Sequence, residues 1–475
     1  MVEAVSRRMR RTVVVAVALA AASVGVVPSG HAQAAAAGVR QDFNGDGYED
    51  LAVAAPDATV DGKYQAGYVA VLYGGPRGLN TVSKKVYSQA FAGVPGTPEA
   101  SDHFGSGLTA ADLDGDGFTD LLVEASGEQW VQGGNARHGN HTVLWGGSGG
   151  FASGNVMPAH GSQSYQAGDV LAGDFNGDGH QDLRGAGPVR FGPFGRDVVP
   201  ASTGDVQLVD GDMMLLDVVA GDVDGDGITD LVSMSRAYDW DDNHEYGYYL
   251  NYVRGSRDGL LPPVLIKDAQ GERIDPHDAT LALGDLNGDG RADLVMGGYA
   301  LRIVYGTTGG PAAATPQVIT QDTPGVPGVQ ERTDDFGSSL AIGDVDGDGY
   351  GDLLAGIPRE DFGGLHFAGT FAVVPGGPGG PTGAGTKVFS QNSADVPGTA
   401  ETQDFFGSNL DVVDGNGDGR AEPVAAAVQE DTSAGAVWVF RSGSGGVTAK
   451  GSFAFGPRAL GTVPSGAHLG DRFPR

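Results

Sequence analysis

The sequence predicts an all-β fold, a seven-bladed β-propeller of four-stranded antiparallel blades, on three observations. A nine-residue phrase, Asp-x-Asp/Asn-Gly-Asp-Gly-x-x-acid, returns seven times, starting at Asp42, Asp112, Asp174, Asp222, Asp285, Asp344 and Asp414. The first and last starts lie 414 − 42 = 372 residues apart over six steps, a mean period of 62, and self-similarity of this kind marks stacked repeats. Around each phrase, short apolar segments alternate with turns and show no helical periodicity, which reads as four strands per repeat. Glycine makes up 82 of 475 residues, more than twice the typical ~7 %, as short strands joined by many turns require.

Along the chain, residues 1–34 read as a cleavable secretory signal. Arg7, Arg8, Arg10 and Arg11 precede fifteen small or apolar residues from Val13 to Val27, and Ala32-Gln33-Ala34 forms the cleavage site. No other run approaches the ~18 apolar residues of a membrane span. Residues 35–475 form one propeller domain. An opening strand precedes the phrase, as in Phe104-Gly105, Phe336-Gly337 and Phe406-Gly407. A second follows directly at Leu51, Leu121, Leu231, Leu294 and Leu353. Third strands alternate large side chains at Tyr68–Tyr73, Thr142–Trp145, Leu301–Tyr305, Thr370–Val374 and Ala436–Phe440, and fourth strands include Lys85-Val86-Tyr87 and Lys387-Val388-Phe389. The first repeat lacks an opening strand. Leu469-Gly470 is expected to supply it, closing the ring with both termini in one blade and removing an exposed sheet edge.

Each phrase offers a hard cation what it needs. Calcium takes roughly 6–8 oxygens. In the first loop Asp42, Asn44 and Asp46 each give one side-chain oxygen, Tyr48 its main-chain carbonyl, Asp50 two, and a water completes the shell. The same positions are Asp112, Asp114, Asp116, Phe118 and Asp120 in the second loop, and Asp174, Asn176, Asp178, His180 and Asp182 in the third. They are Asp222, Asp224, Asp226, Ile228 and Asp230 in the fourth, and Asp285, Asn287, Asp289, Arg291 and Asp293 in the fifth. In the sixth they are Asp344, Asp346, Asp348, Tyr350 and Asp352, and in the seventh Asp414, Asn416, Asp418, Arg420 and Glu422. Up to seven Ca²⁺ ions follow, one per blade. Magnesium wants a more rigid octahedron, and zinc or copper would want His or Cys ligands. A single such cluster is ordinarily a turn, but seven in one register favour a metal. An EF-hand closes with Glu at position 12 between helices; here the ninth residue is the acid and a strand follows.

The order Phe-Gly, acidic loop, then a small-residue run such as Ala54-Ala55-Pro56 or Ala355-Gly356-Ile357-Pro358, resembles the FG-GAP repeat of the integrin α-subunit amino-terminal propeller, from about residue 40 to the end. The resemblance implies calcium loops between the first two strands of every blade, on one face of the disc, with ligands taken on the other. The Phe-Gly pair is Gln166-Ala167, Met214-Leu215 and His277-Asp278 in repeats three to five, and the seventh loop carries Gly415 and Glu422 followed by Pro423.

The formal charge is −31. Removing Glu3 and four arginines with the signal makes it −31 − 3 = −34. The ligand positions hold 24 of the 60 acidic residues, so seven Ca²⁺ would bring −34 to −20 and relieve the repulsion that strains a compact state. Nucleic acid is excluded as a partner for so acidic a chain. The chain has no cysteine, so metal rather than disulfide is expected to staple an exported protein. Gly146-Gly147-Ser148-Gly149-Gly150 matches a nucleophile elbow but sits where other repeats place a turn. Two insertions between second and third strands, around Trp130, His138 and His141 and around Tyr238, Trp240 and Tyr246, are the candidate ligand loops, set with aromatics suited to sugar stacking or protein recognition. His138 and His141 also have a spacing open to a transition metal. The sequence reads as a secreted, calcium-binding propeller that binds an extracellular protein or glycan without catalysis. The alternatives are an extracellular polysaccharide hydrolase or lyase and a purely structural surface protein.

Overall fold

The computed structural model describes residues 41–132, 135–157, 170–185, 187–208, 213–239, 244–277 and 279–475, without the side chains of 130–137 and 238–246. Seven sheets follow one another around a central channel. The first blade holds Leu51–Ala55, Tyr68–Leu72 and Lys84–Tyr87 in one antiparallel sheet. The second to fourth open at Phe104, Leu171 and Met213, and the fifth to seventh at Thr280, Leu340 and Asn409; each of these six has four strands. A small hairpin, Gly306–Thr307 with Gly310–Pro311, is set beside the fifth. Among the described residues helix is confined to the four-residue turns Glu430–Ser433 and Pro457–Leu460, and none is long and apolar enough to cross a membrane.

Second strands lie between two neighbouring blades and are covered on both faces. Leu51–Ala55, Asp293–Gly297, Asp352–Ile357 and Glu422–Ala427 are buried at every position, which is why they read as continuous apolar runs rather than alternating ones. The cores accordingly form between blades. One joins Phe43, Ala52 and Val69 of the first blade to Phe104, Leu121 and Leu144 of the second. Another joins Leu51, Val53 and Tyr68 of the first to Val413, Val424 and Val437 of the seventh, with Leu469 and Phe473 between them.

The Phe-Gly pairs are inter-blade pins. Phe104 N–H donates to Ala66 O at 3.0 Å and Phe406 N–H to Ala368 O at 3.1 Å, both in the preceding blade, and both rings are fully buried. Gly67 and Gly369 must be glycine there, because a Cβ on either would run into the backbone of Phe104 or Phe406. Leu469 repeats the contact on the seventh blade, donating to Ala434 O at 3.0 Å over Gly435. Beyond it, Gly470 donates to Ala54 O and Ala54 to Arg472 O, each at 3.0 Å, an isolated bridge on the first blade rather than a full strand. The chain then runs into the channel, a cavity of about 1010 Å³, where Arg475 Nη1 lies 2.9 Å from Asp217 Oδ1. The expected signal at 1–34, with Gln166-Ala167 and Asp278, lies outside the described residues.

Candidate metal loops and the opposite face

All seven acidic loops connect the first and second strands of their blades, or precede the second strand in blade one, and so share one face. Each is wound by its own side chains. Asp42 Oδ1 accepts from Gly45 N–H at 2.6 Å and Asp46 N–H at 3.1 Å, while Oδ2 accepts from Gly47 N–H at 2.8 Å. Asn44 Oδ1 takes Asp46 N–H at 2.9 Å and Asp46 Oδ1 takes Tyr48 N–H at 3.2 Å. Gly45 and Gly47 sit at φ +71° and +85°, a region that a Cβ penalises. Bonds from the sixth-position amide to the first acid and from the seventh-position amide to the fifth recur in the other six loops.

The closing acid has a second task that sequence reasoning missed. Asp50 is fully buried, and its two oxygens accept Phe43 N–H at 3.0 Å and Gly74 N–H at 2.9 Å, tying the loop to the turn after the third strand. Asp120, Asp182, Asp230, Asp293 and Asp352 make the same pair of bonds. Burial, only partly offset by these amides, pushes the pKa of Asp50 up to about 8, with those of Asp120, Asp293 and Asp352 at about 7 and of Asp182 and Asp230 at about 6. The seventh loop departs. Glu422 accepts Gly415 N–H at 3.1 Å, but its other oxygen is held by Asn416 Nδ2, and burial and then the charge of Asp414 raise its pKa to about 7.

The donor set fits a hard cation. Carboxylate oxygens of Asp112, Asp114 and Asp120, of Asp222, Asp224 and Asp230, and of Asp344, Asp346 and Asp348 converge to within 4.8 Å of one another. Such oxygen-only clusters suit calcium rather than a softer metal.

The variable seventh position, expected to act through its carbonyl alone, also covers the next loop. The side chains of Phe118, Ile228, Arg291, Tyr350, Arg420 and Tyr48 lie over Gly45, Gly177, Gly225, Gly288, Gly347 and Gly417 of the adjoining loops, and His180 lies beside Gly115. Eighth-position amides add a hydrogen bond across the same boundaries, as from Thr119 to Asp42 O at 3.0 Å and from Glu49 to Asp414 O at 3.3 Å. Two arginines also reach the loops: Arg196 pairs with Asp114 and Asp116, and Arg254 with Asp224 and Asp226. No motif announces them, since each stands outside the phrase it serves.

On the opposite face the two insertions are not loops, as expected, but extended β-hairpins. In blade two, Asp120–Gln132 pairs with Asn135–Trp145 out to Gln132 opposite Asn135, placing Trp130 opposite Arg137. In blade four, Asp230–Asp239 pairs with His244–Val253, with Tyr238 opposite Glu245 and a register break nearby that leaves Tyr246 unpaired in the ladder. Trp240 lies outside the described residues. Backbone pairing resumes beyond a register shift in each hairpin, between Ala125 and Gln129 in blade two and between Ala237 and Tyr238 in blade four. His138 and His141 are not a matched pair. His138 is exposed, whereas His141 is half-buried opposite Glu124, and burial with the charge of Arg190 lowers its pKa to about 4. The Gly146–Gly150 segment is a turn, with Gly150 N–H on Gly147 O at 2.6 Å and Gly147 N–H on Phe43 O at 3.0 Å in the neighbouring loop.

Seven antiparallel blades, six of four strands and the first of three, each with one nine-residue acidic loop on a common face, define a repeat propeller of the integrin-α type. The FG-GAP repeat family matches residues 34–72, 104–138, 279–309 and 336–386, and the chain is an FG-GAP repeat protein with an integrin-α-like propeller. Phosphatidylinositol-glycan-specific phospholipase D of Rattus norvegicus is 30 % identical over 227 residues, covering 46 % of this chain and 25 % of that protein. Integrin alpha-8 of Mus musculus is 40 % identical over 88 residues, 18 % of this chain and 8 % of that one. Integrin alpha-PS2 of Drosophila melanogaster is 29 % identical over 220 residues, 42 % and 16 % of the two chains. The chain thus spans a quarter or less of each of these relatives. Among solved structures, the Photorhabdus luminescens Tc holotoxin pore aligns with 79 % of this chain and 17 % of its own, at 15 % identity and TM-score 0.37. A Bacillus licheniformis rhamnogalacturonan lyase aligns with 88 % and 74 %, at 11 % identity and TM-score 0.29.

Proposed function

We propose that this chain is a secreted propeller that holds calcium in its acidic loops and binds an extracellular protein or glycan through the opposite face, without catalysis of its own. The observation that carries the metal half is the recurrence of one oxygen-only donor set with converging carboxylates. Calcium there would neutralise buried acids whose charged form burial disfavours, and would set the rigidity of the disc. The binding half is supported by the relation to integrin α chains and by the hairpins of blades two and four, which lengthen the face opposite the loops. Carboxylates in the channel are tied to structure: Asp217 accepts Val218 N–H at 2.9 Å and Leu281 N–H at 3.1 Å, and Asp411 accepts Val412 N–H at 2.8 Å.

The test is a glycan array and an extracellular-protein array, each probed with calcium and with chelator, using the wild-type chain and the double variant Tyr238→Ala, Trp240→Ala. Buried aromatic anchors typically contribute about 2 kcal/mol or more, so capture by the variant should fall at least about thirtyfold. Its calcium stoichiometry should be unchanged, because the hairpins leave the blade at the far end from the loops. Unchanged capture would move the binding surface elsewhere. Turnover of a captured polysaccharide would replace this reading with the hydrolase or lyase alternative.

A further inference from the structure

Each carboxylate at the third and fifth loop positions has two oxygens, and the loop commits one of them. Asp114 Oδ1 accepts Asp116 N–H at 3.3 Å and Asp116 Oδ1 accepts Phe118 N–H at 3.0 Å, so these amides leave the two Oδ2 atoms to other partners. Those are the atoms Arg196 holds, with Nε 2.5 Å from Asp114 Oδ2 and Nη2 2.6 Å from Asp116 Oδ2. Blade four repeats the arrangement by another route. Asp224 Oδ1 and Asp226 Oδ1 are taken by Asp226 and Ile228 amides at 3.2 and 2.9 Å. Arg254 Nε and Nη2 lie 2.6 and 2.9 Å from the remaining oxygens. Arg196 comes from the turn after Val189–Phe191 in the neighbouring blade, whereas Arg254 directly follows the third strand of its own. Two unrelated positions in the chain thus bring a guanidinium to the same pair of atoms.

These two-acid clamps accompany the more acidic ligand sets; in loop five Arg291 reaches the fifth-position acid alone, with Nη1 3.0 Å from Asp289 Oδ2. Loops two, four and six carry Asp at position three, and therefore one more acid at the ligand positions than the loops with Asn44, Asn176, Asn287 or Asn416. In two of those three an arginine offsets the extra charge. In loop six Arg420 donates only to the main-chain oxygen of Asp346, at 3.0 Å, and among the described residues no arginine is ion-paired with the Asp346 or Asp348 carboxylate.

We infer that Arg196 and Arg254 are tethered competitors of calcium: a planar fork that occupies the ligand oxygens of loops two and four and must swing out before the metal enters. The inference rests on the calcium reading of the loops. Both arginines can leave, since their side chains are about half exposed, at 48 % and 46 %, while the third-position acids are enclosed, Asp114 being 10 % and Asp224 1 % exposed against 35 % for Asp116 and 30 % for Asp226. Each arginine bridges two carboxylates, with Nη2 hydrogen-bonded to the fifth-position acid and Nε ion-paired with the third; charge-assisted contacts are stronger than neutral ones, and the metal must replace them. Calcium binding therefore falls into two classes, with loops two and four filling last, and the propeller responds to calcium in steps.

The experiment is a calcium titration of chelator-stripped wild type, Arg196→Ala and Arg254→Ala by calorimetry, with melting curves in calcium and in chelator. Each variant should keep the wild-type stoichiometry and gain about tenfold in affinity at one weak site. Each should melt lower than wild type in chelator and gain more from calcium. Arg196 also stacks on Trp145, 4.7 Å from the ring centroid, so the weak phase in wild type should change tryptophan emission, and Trp145→Phe should abolish that change. Variants that bind calcium as wild type does, and melt lower by the same amount with and without it, would overturn the inference and leave the calcium reading standing. Absence of calcium binding in wild type and both variants would overturn both.

Discussion

Tyr48, in the first loop, lies over Gly417 of the last: a Cβ on Gly417 would fall 3.2 Å from Tyr48 Cδ1. Beside it, Gly75 N–H donates to Gly415 O at 2.9 Å. The boundary between blades seven and one is thereby built like the other six. Gly417 has φ +70°, so Gly417→Ala adds a tight contact with the Tyr48 ring and left-handed strain of about 1–2 kcal/mol. The expected result is a lower melting temperature with unchanged calcium stoichiometry.

Calcium should contribute directly to folding. A ligand of the native state alone stabilises by about 2.7 kcal/mol per site at a hundredfold excess over Kd, so several loops together should raise the melting temperature steeply. A scan with and without chelator checks it, and coincident curves would refute the metal assignment.

Within one loop, ligand and cover should separate. Asp348→Ala removes a carboxylate from the sixth loop and should reduce bound calcium by one ion in equilibrium dialysis. Tyr350→Ala leaves its carbonyl in place but uncovers Gly288; it should keep the stoichiometry and lose about 1 kcal/mol of stability. Equal loss of metal in both would mean that the seventh side chain itself ligates.

Gln391 Nε2 donates to Glu430 Oε2 at 2.6 Å across the boundary between blades six and seven, as Gln89 does to Glu128 at 2.6 Å and Gln321 to Glu360 at 2.9 Å. Burial, followed by the charge of Asp404, pushes Glu430 up to about 7, with Asp431 and Glu401 adding to the rise against the hydrogen bond of Gln391. A raised carboxyl pKa means that the native state holds its proton more tightly than the unfolded chain does. This contribution to stability is complete below the ordinary Glu value of about 4.3 and is lost as pH rises through about 7. In saturating calcium, Glu430→Gln should flatten the fall in melting temperature across that window. Parallel profiles for variant and wild type would reject the assignment.

Truncation from Gly466 onward should expose the first blade. It removes Leu469 from Ala434, Arg472 from Ala54, and the 2.7 Å contact of His468 Nδ1 with Asp57 Oδ2. An unpaired edge is a template for association, so the shortened chain should melt lower and aggregate. A monomer that melts as the full chain does would rule out a closing role for this segment.

Fold class, blade count, strand order and the position of every acidic loop were legible in the sequence, because each is written within a short stretch. Nine residues suffice to wind a loop around its own carboxylates, and alternating apolar residues between turns suffice to mark a blade. The tertiary structure alone decided what lies between blades. Tyr48 covers Gly417, Phe118 covers Gly45, and Arg196 reaches Asp114 only because the ring brings distant segments side by side, and no local pattern encodes which neighbour a variable seventh residue or a turn arginine will meet. The dual bonding of Asp50 was hidden for the same reason, since one of its partners, Gly74, belongs to a turn a whole hairpin away. The insertions were read as loops from their composition, yet Trp130 and Tyr238 stand in strands, because backbone pairing that resumes beyond a buried hairpin outweighs the turn preference of Gly and Asn.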